Sequence, residues 1–73
     1  MGIDEMIVKG GELLNSGRNA EAIKEFNTVI SMNPALNIAW TLKGAALVNL
    51  GQYKEALEAV NKALSLNPVD AVT

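Results

Sequence analysis

At 73 residues the chain is one domain at most, close to the lower limit at which a single core holds a fold without cross-links or metal. It contains no cysteine and no histidine, which removes disulfides, thiolate–metal sites and the usual neutral-pH proton shuttle, so no metal or other cofactor is expected. Six Lys and Arg against eight Asp and Glu give a net charge of −2 with both signs spread along the chain, and neither a basic footprint for nucleic acid nor a basic amphipathic segment for an anionic membrane is present.

Hydrophobic residues make up 49% of the chain and charged residues only 19%, so many apolar side chains must find partners. The longest apolar-rich stretch, from Ile38 to Leu50, is too short for a membrane span and carries Lys43 and Asn49. The Met1–Glu5 segment lacks the basic start and apolar run of a secretory signal, and Met6 stands where a myristoylation signal wants Ser or Thr. A cytoplasmic protein is the expectation.

Spacing predicts a first helix over Ile3–Ser16, where Ile3, Met6, Ile7, Gly10, Leu13 and Leu14 recur at three and four. Gly17 stops it, being able to take the left-handed backbone conformation that closes a helix. A second helix opens at Asn19 as N-cap, carries Ala22, Ile23, Phe26, Val29 and Ile30 inward, and ends at Asn33-Pro34. Pro34 then sits at the first position of the next helix, with Asn33 or Asn37 as its cap. The third helix runs from Asn37 to Leu50 and stops at Gly51. The fourth starts near Tyr53, carries Ala56, Leu57, Val60, Ala63 and Leu64 inward, and finishes at Asn67-Pro68. Short joints make the four helices antiparallel neighbours.

The two halves repeat at an offset of 34 residues. Residues 3–34 laid over 37–68 align Lys9 with Lys43, Gly10 with Gly44, Leu13 with Leu47, Gly17 with Gly51, Glu21-Ala22 with Glu55-Ala56, and Asn33-Pro34 with Asn67-Pro68. Glycines, turn formers and small packing residues match best, as expected of one backbone used twice.

Trp40, Gly44, Leu47, Gly51, Tyr53, Ala56, Val60, Ala63 and Pro68 in the second half, with Met6, Gly10, Leu13, Gly17, Ala22, Phe26, Val29 and Pro34 in the first, resemble the tetratricopeptide repeat family. The resemblance implies an all-α fold of two helix-turn-helix repeats, four helices in an antiparallel, right-handed superhelical array. It divides a single domain into repeats at about 3–34 and 37–68. Residues 69–73 read as the start of a further helix cut short, or as a tail. Lys9 and Lys43 depart from the family by replacing its leucine, though their stems can still cover apolar surface.

The resemblance also implies a function. In the family, one side of each repeat's first helix lines a concave groove that receives peptides or helices. Here that side is Asp4, Ile7, Gly11, Leu14 and Asn15 in the first helix and Ile38, Thr41, Ala45, Val48 and Asn49 in the third. Relatives that grip a C-terminal carboxylate use Lys, Arg and Asn at mid-helix, where Ile7, Gly11, Thr41 and Ala45 stand instead. The expected guest is therefore an amphipathic helix or extended apolar peptide of a partner protein. Asn15 and Asn49 are placed either to bond a guest backbone or to prepare their turns.

A second reading is self-assembly. Helix four has no successor in the sequence, so Leu57, Val60, Ala63 and Leu64 face water in a monomer and could drive dimerisation, helix exchange or end-to-end stacking. An enzymatic reading has little to stand on. No nucleophile is paired with a recognisable base, and Gly10-Gly11 and Gly44 lie in predicted helices with no Gly-Lys-Ser/Thr sequence following. Asp4, Glu5, Glu12, Glu21 and Glu25 lack the histidines of carboxylate-bridged metal bundles, and Trp40 matches a packing position better than a ligand anchor.

Overall fold

A computed structural model of the protein describes residues 2–66. Four helices follow one another: α1 (Ile3–Asn15), α2 (Asn19–Met32), α3 (Asn37–Asn49) and α4 (Tyr53–Leu66). Each packs on its neighbours in sequence, and α1 and α3 approach each other lightly. The expected stop of the fourth helix at Asn67-Pro68 and the start of a further helix at 69–73 lie outside the described residues.

The α1–α2 and α3–α4 turns are the same object. Gly17 and Gly51 both have φ of 80°, a backbone conformation that costs glycine nothing and other residues strain. Around them, Arg18 N–H donates to Leu13 C=O at 2.8 Å and Gly17 N–H to Leu14 C=O at 3.1 Å. One repeat later, Gln52 N–H donates to Leu47 C=O and Gly51 N–H to Val48 C=O, each at 2.9 Å. Paired bonds of this kind satisfy carbonyls that a helix end would otherwise leave without donors, and they reverse the chain in very few residues.

That tight closure displaces the predicted cap. Arg18, not Asn19, is the N-cap of α2; Asn19 is already helical, and its side-chain amide donates back to Gly17 C=O at 3.3 Å. The α2–α3 joint also differs from expectation. Pro34 does not begin α3, and neither Asn33 nor Asn37 caps it; Leu36 takes the cap position. The Asn33 side chain accepts from Ala35 N–H at 3.3 Å, and Leu36 N–H donates to Asn33 C=O at 3.2 Å, which folds Asn33–Leu36 into a turn of its own. The Trp40 indole N–H then donates to Pro34 C=O at 2.9 Å and holds this turn against the helix that follows.

Two glycines set the distance between paired helices. A Cβ at Gly10 would fall into the Phe26 ring, 2.8 Å from its Cζ, and one at Gly44 would lie 2.9 Å from Val60 Cγ2 and 3.4 Å from the Ala56 carbonyl oxygen. Close approach explains a core made mainly of alanine: Ala22, Ala39, Ala46, Ala56, Ala59 and Ala63 are buried beside Leu47, and Phe26 and Val29 are the largest fully buried side chains among the described residues.

The inward face of α4 is accordingly not the one expected. Ala56, Ala59 and Ala63 are buried, whereas Leu57 and Leu64 are exposed by 61% and 64% and Val60 by 37%. Ala63, expected on the inward stripe and also in the self-association set, is 5% exposed and belongs to the inward one. Where Gly44 draws α4 close, Val60 reaches over the glycine and alanines fill the rest of the interface, while the leucines occupy the adjoining side. In α2, Ala22, Phe26 and Val29 are buried as expected, while Ile23 and Ile30 are half-buried.

The two glycines of α1 should respond oppositely to the same change. Gly10→Ala forces Cβ against a fully buried ring and should destabilise the protein by about 1–3 kcal/mol despite alanine's better helix propensity. Gly11→Ala meets nothing within 4 Å. It should stabilise by roughly 0.5–1 kcal/mol. Urea unfolding followed by helical circular dichroism measures both.

Candidate functional site

Three surfaces carry chemistry beyond the core. The first is the side shared by α1 and α3. Ile38, Thr41, Ala45, Val48 and Asn49 of α3 are all exposed there, while on α1 Ile7, Gly11 and Leu14 are half-buried and Asp4 and Asn15 exposed. This follows from helical spacing. In each helix these positions adjoin the side that carries Gly10 or Gly44, and the glycines face the paired helix, leaving the adjoining side free.

The polar groups of this side are partly spoken for. Thr41 Oγ1 donates to Asn37 C=O of its own helix at 3.0 Å, and Asn49 Nδ2 donates to Asn19 Oδ1 of α2 at 3.0 Å. Asn49 therefore links two helices, a role that neither of its expected uses included. Apart from Asp4 and Asn15, what the surface offers outward is methyl and methylene groups.

The second surface is a cleft of about 430 Å³ between α2 and α4, floored by α3. Ile23 and Asn27 come from α2, Trp40, Lys43 and Leu47 from α3, and Glu55 and Glu58 from α4. Trp40 is half-buried and packs against the cluster of Leu47, Ala56 and Ala59, which supports its packing role. Its ring lies under two ammonium groups, Lys43 Nζ at 5.5 Å and Lys62 Nζ at 6.0 Å from the ring centroid. Both are within the range where a cation is attracted to the ring face. The cleft was not foreseen from sequence, since it needs three helices at once; the sole signal was Lys43 in a leucine position beside a tryptophan. Lys9, its counterpart, instead lies 3.8 Å from Glu25.

The third is an apolar depression of about 250 Å³ lined by Val48, Tyr53, Ala56, Leu57 and Val60. It joins Val48, expected in the groove, to Leu57 and Val60, expected in self-association. The two predicted surfaces are therefore contiguous. Ala63 is buried and Leu64 lies farther along the exposed side of α4. Val8, 60% exposed on α1, belongs to none of these and was not singled out from sequence.

Comparison with known proteins agrees with this architecture. The tetratricopeptide repeat family model matches residues 8–71, and the chain belongs to that family. Its four helices are consistent with two repeats. The family generally provides protein–protein interaction modules and is typically non-catalytic. Among curated proteins, no relative matches the chain. Among the described residues, no helix is long and apolar enough to cross a membrane.

The Trp40 indole ties the inter-repeat turn to α3, so Trp40→Phe should keep the ring's packing and lose its bond to Pro34. The expected cost is about 1–2 kcal/mol. It should appear as a lower urea midpoint with unchanged helicity. A midpoint equal to the parent's would show that the bond contributes nothing.

Proposed function

We propose that the chain is a non-catalytic protein-interaction module that holds an apolar stretch of a partner protein, helical or extended, along the side shared by α1 and α3. The observation that carries this reading is the exposed row Ile38, Thr41, Ala45 and Val48, whose one hydroxyl is already bonded within α3. A guest laid on that row covers aliphatic groups without having to satisfy a buried donor. Roughly 25 cal/mol per Å² of apolar surface removed from water means that two or three such side chains contribute a few kcal/mol.

Charge supports a protein guest over nucleic acid. Asp4 is the charged residue among the ten groove positions, and no lysine or arginine stands among them to neutralise phosphates or grip a terminal carboxylate. Binding of this kind involves complementarity of surface with no bond made or broken.

The test is selection of peptides from a displayed library on the intact chain, followed by affinity measurement with variants. Ile38→Glu with Thr41→Glu should weaken a selected peptide by on the order of a hundredfold while helicity is retained, because the guest would bury carboxylates without partners. Lys24→Glu, on the exposed outer side of α2, should leave affinity within about twofold. Equal affinity for the parent and the Ile38/Thr41 variant would refute the assignment.

A further inference from the structure

The two helices that flank the groove hardly touch. α1 and α3 approach each other lightly, so the place of one relative to the other is set through α2. In α3, Ala39 and Ala46 stand five residues before and two after Gly44, on the side of the helix away from α4, and both are fully buried. With α3 packed between α2 and α4, that side is the one α2 covers. Methyl groups give a close contact without a preferred direction, so this interface resists separation of α3 from α2 more than rotation across it.

Rotation is restrained at the two ends of the α2–α3 pair. At one end the chain itself joins the helices through the Asn33–Leu36 turn, to which the Trp40 indole N–H donates at Pro34 C=O. At the other, Asn49 on the last residue of α3 donates through Nδ2 to Asn19 Oδ1, on the first residue of α2, at 3.0 Å. Asn19 Nδ2 in turn donates to Gly17 C=O at 3.3 Å, which ties the contact to the glycine turn of the first repeat. Among the described residues, Asn49 to Asn19 is the one side-chain hydrogen bond or ion pair between a helix of the first repeat and a helix of the second.

Its position gives it leverage. The 14 residues of α2 put the bridge about 20 Å from the joint, where a given rotation displaces α3 most. A hydrogen bond is directional and weakens steeply when misaligned. Leu14 and Asn15 of α1 and Val48 of α3 stand at this end of the groove, so the bridge governs how far apart they lie. The repeat does not supply it twice. Asn15 and Asn49 match at the offset of 34 residues, but the match of Asn19 is Tyr53.

We propose that the Asn49–Asn19–Gly17 bridge fixes the angle between the two repeats, and that Asn19, outside the groove, is a positioning residue for the guest. The consequence for binding rests on the groove reading; the consequence for the angle does not. Without the bridge the repeats sample other angles, and apparent affinity falls with the fraction of molecules that hold the right one. A hydrogen bond of ordinary net strength shifts that fraction by about fivefold.

Residual dipolar couplings of the backbone amides in the intact chain without guest read the orientation of α3 against α1. In the parent a single alignment should fit all four helices. Asn19→Ala should keep its helicity and the fit within each helix pair, while the two repeats need separate alignments. Asn19→Asp keeps the oxygen that Asn49 bonds and should restore the single alignment. For a library-selected peptide, Asn19→Ala should raise Kd about fivefold. Asn19→Asp should leave it within about twofold of the parent.

A single alignment in Asn19→Ala would overturn the proposal, as would separate alignments in the parent or a failure of Asn19→Asp to restore one. Equal peptide affinity in Asn19→Ala and parent, with binding lost in Ile38→Glu/Thr41→Glu, would also overturn it and leave the groove reading standing. Binding indifferent to the Ile38 and Thr41 changes would refute the groove reading instead, and the couplings then decide the angle by themselves.

Discussion

The structure depends on helix pairs that come unusually close because a residue without a side chain faces a larger one. Gly10 receives the Phe26 ring and Gly44 receives Val60, and a methyl group at either glycine would already overlap its neighbour. That approach decides which side chains can fill the rest of the interface, which is why six of the buried apolar residues are alanines. It also makes the short glycine turns possible, since two helices close at their centres and antiparallel need little chain to connect them. A protein this small gains its core from tightness more than from bulk.

The same contact gives the helices different faces to spend on other purposes. In α3, one side meets α4 through Gly44, the opposite side carries Ala39 and Ala46 against α2, and the side between remains in solvent with Ile38, Thr41, Ala45 and Val48. A helix that is apolar nearly all round keeps an apolar strip in solvent once its two neighbours are packed. The repeat thus leaves that strip exposed as a by-product of packing. Divergence between repeats, with Glu5 and Glu12 against Ala39 and Ala46, and Phe26 against Val60, then gives the two repeats different surfaces.

Much of this was legible in the sequence, and the failures have a common cause. Helix ends at Gly17 and Gly51, the period of 34 residues, and the inward positions Ala22, Phe26, Val29 and Ala56 were all readable from spacing and turn chemistry. Caps were misplaced because the closing bonds around Gly17 consume the next residue, making Arg18 the cap, and because Asn33 folds into a turn before α3 can begin. The face of α4 was misassigned because two overlapping stripes exist, Ala56-Ala59-Ala63 and Tyr53-Leu57-Val60-Leu64, and hydrophobic size favours the second. Close approach of α4 at Gly44 buries the first, with Val60 of the second reaching over the glycine. Periodicity reveals stripes, but which one is buried depends on the neighbour's shape. The cleft over Trp40 was beyond reach for the same reason, being assembled from three helices.

The central functional claim concerns which side of α3 meets a partner, and amide resonance shifts read it residue by residue. A ¹⁵N-labelled chain titrated with a library-selected peptide should show its largest shifts at Ile7, Gly11, Ile38, Thr41 and Ala45, while the Trp40 indole N–H, bonded to Pro34 on the other side, stays in place. Shifts concentrated at the Trp40 indole, Lys43 and Ile23, with Ile38 and Thr41 unmoved, would put the partner in the α2–α4 cleft and contradict the account.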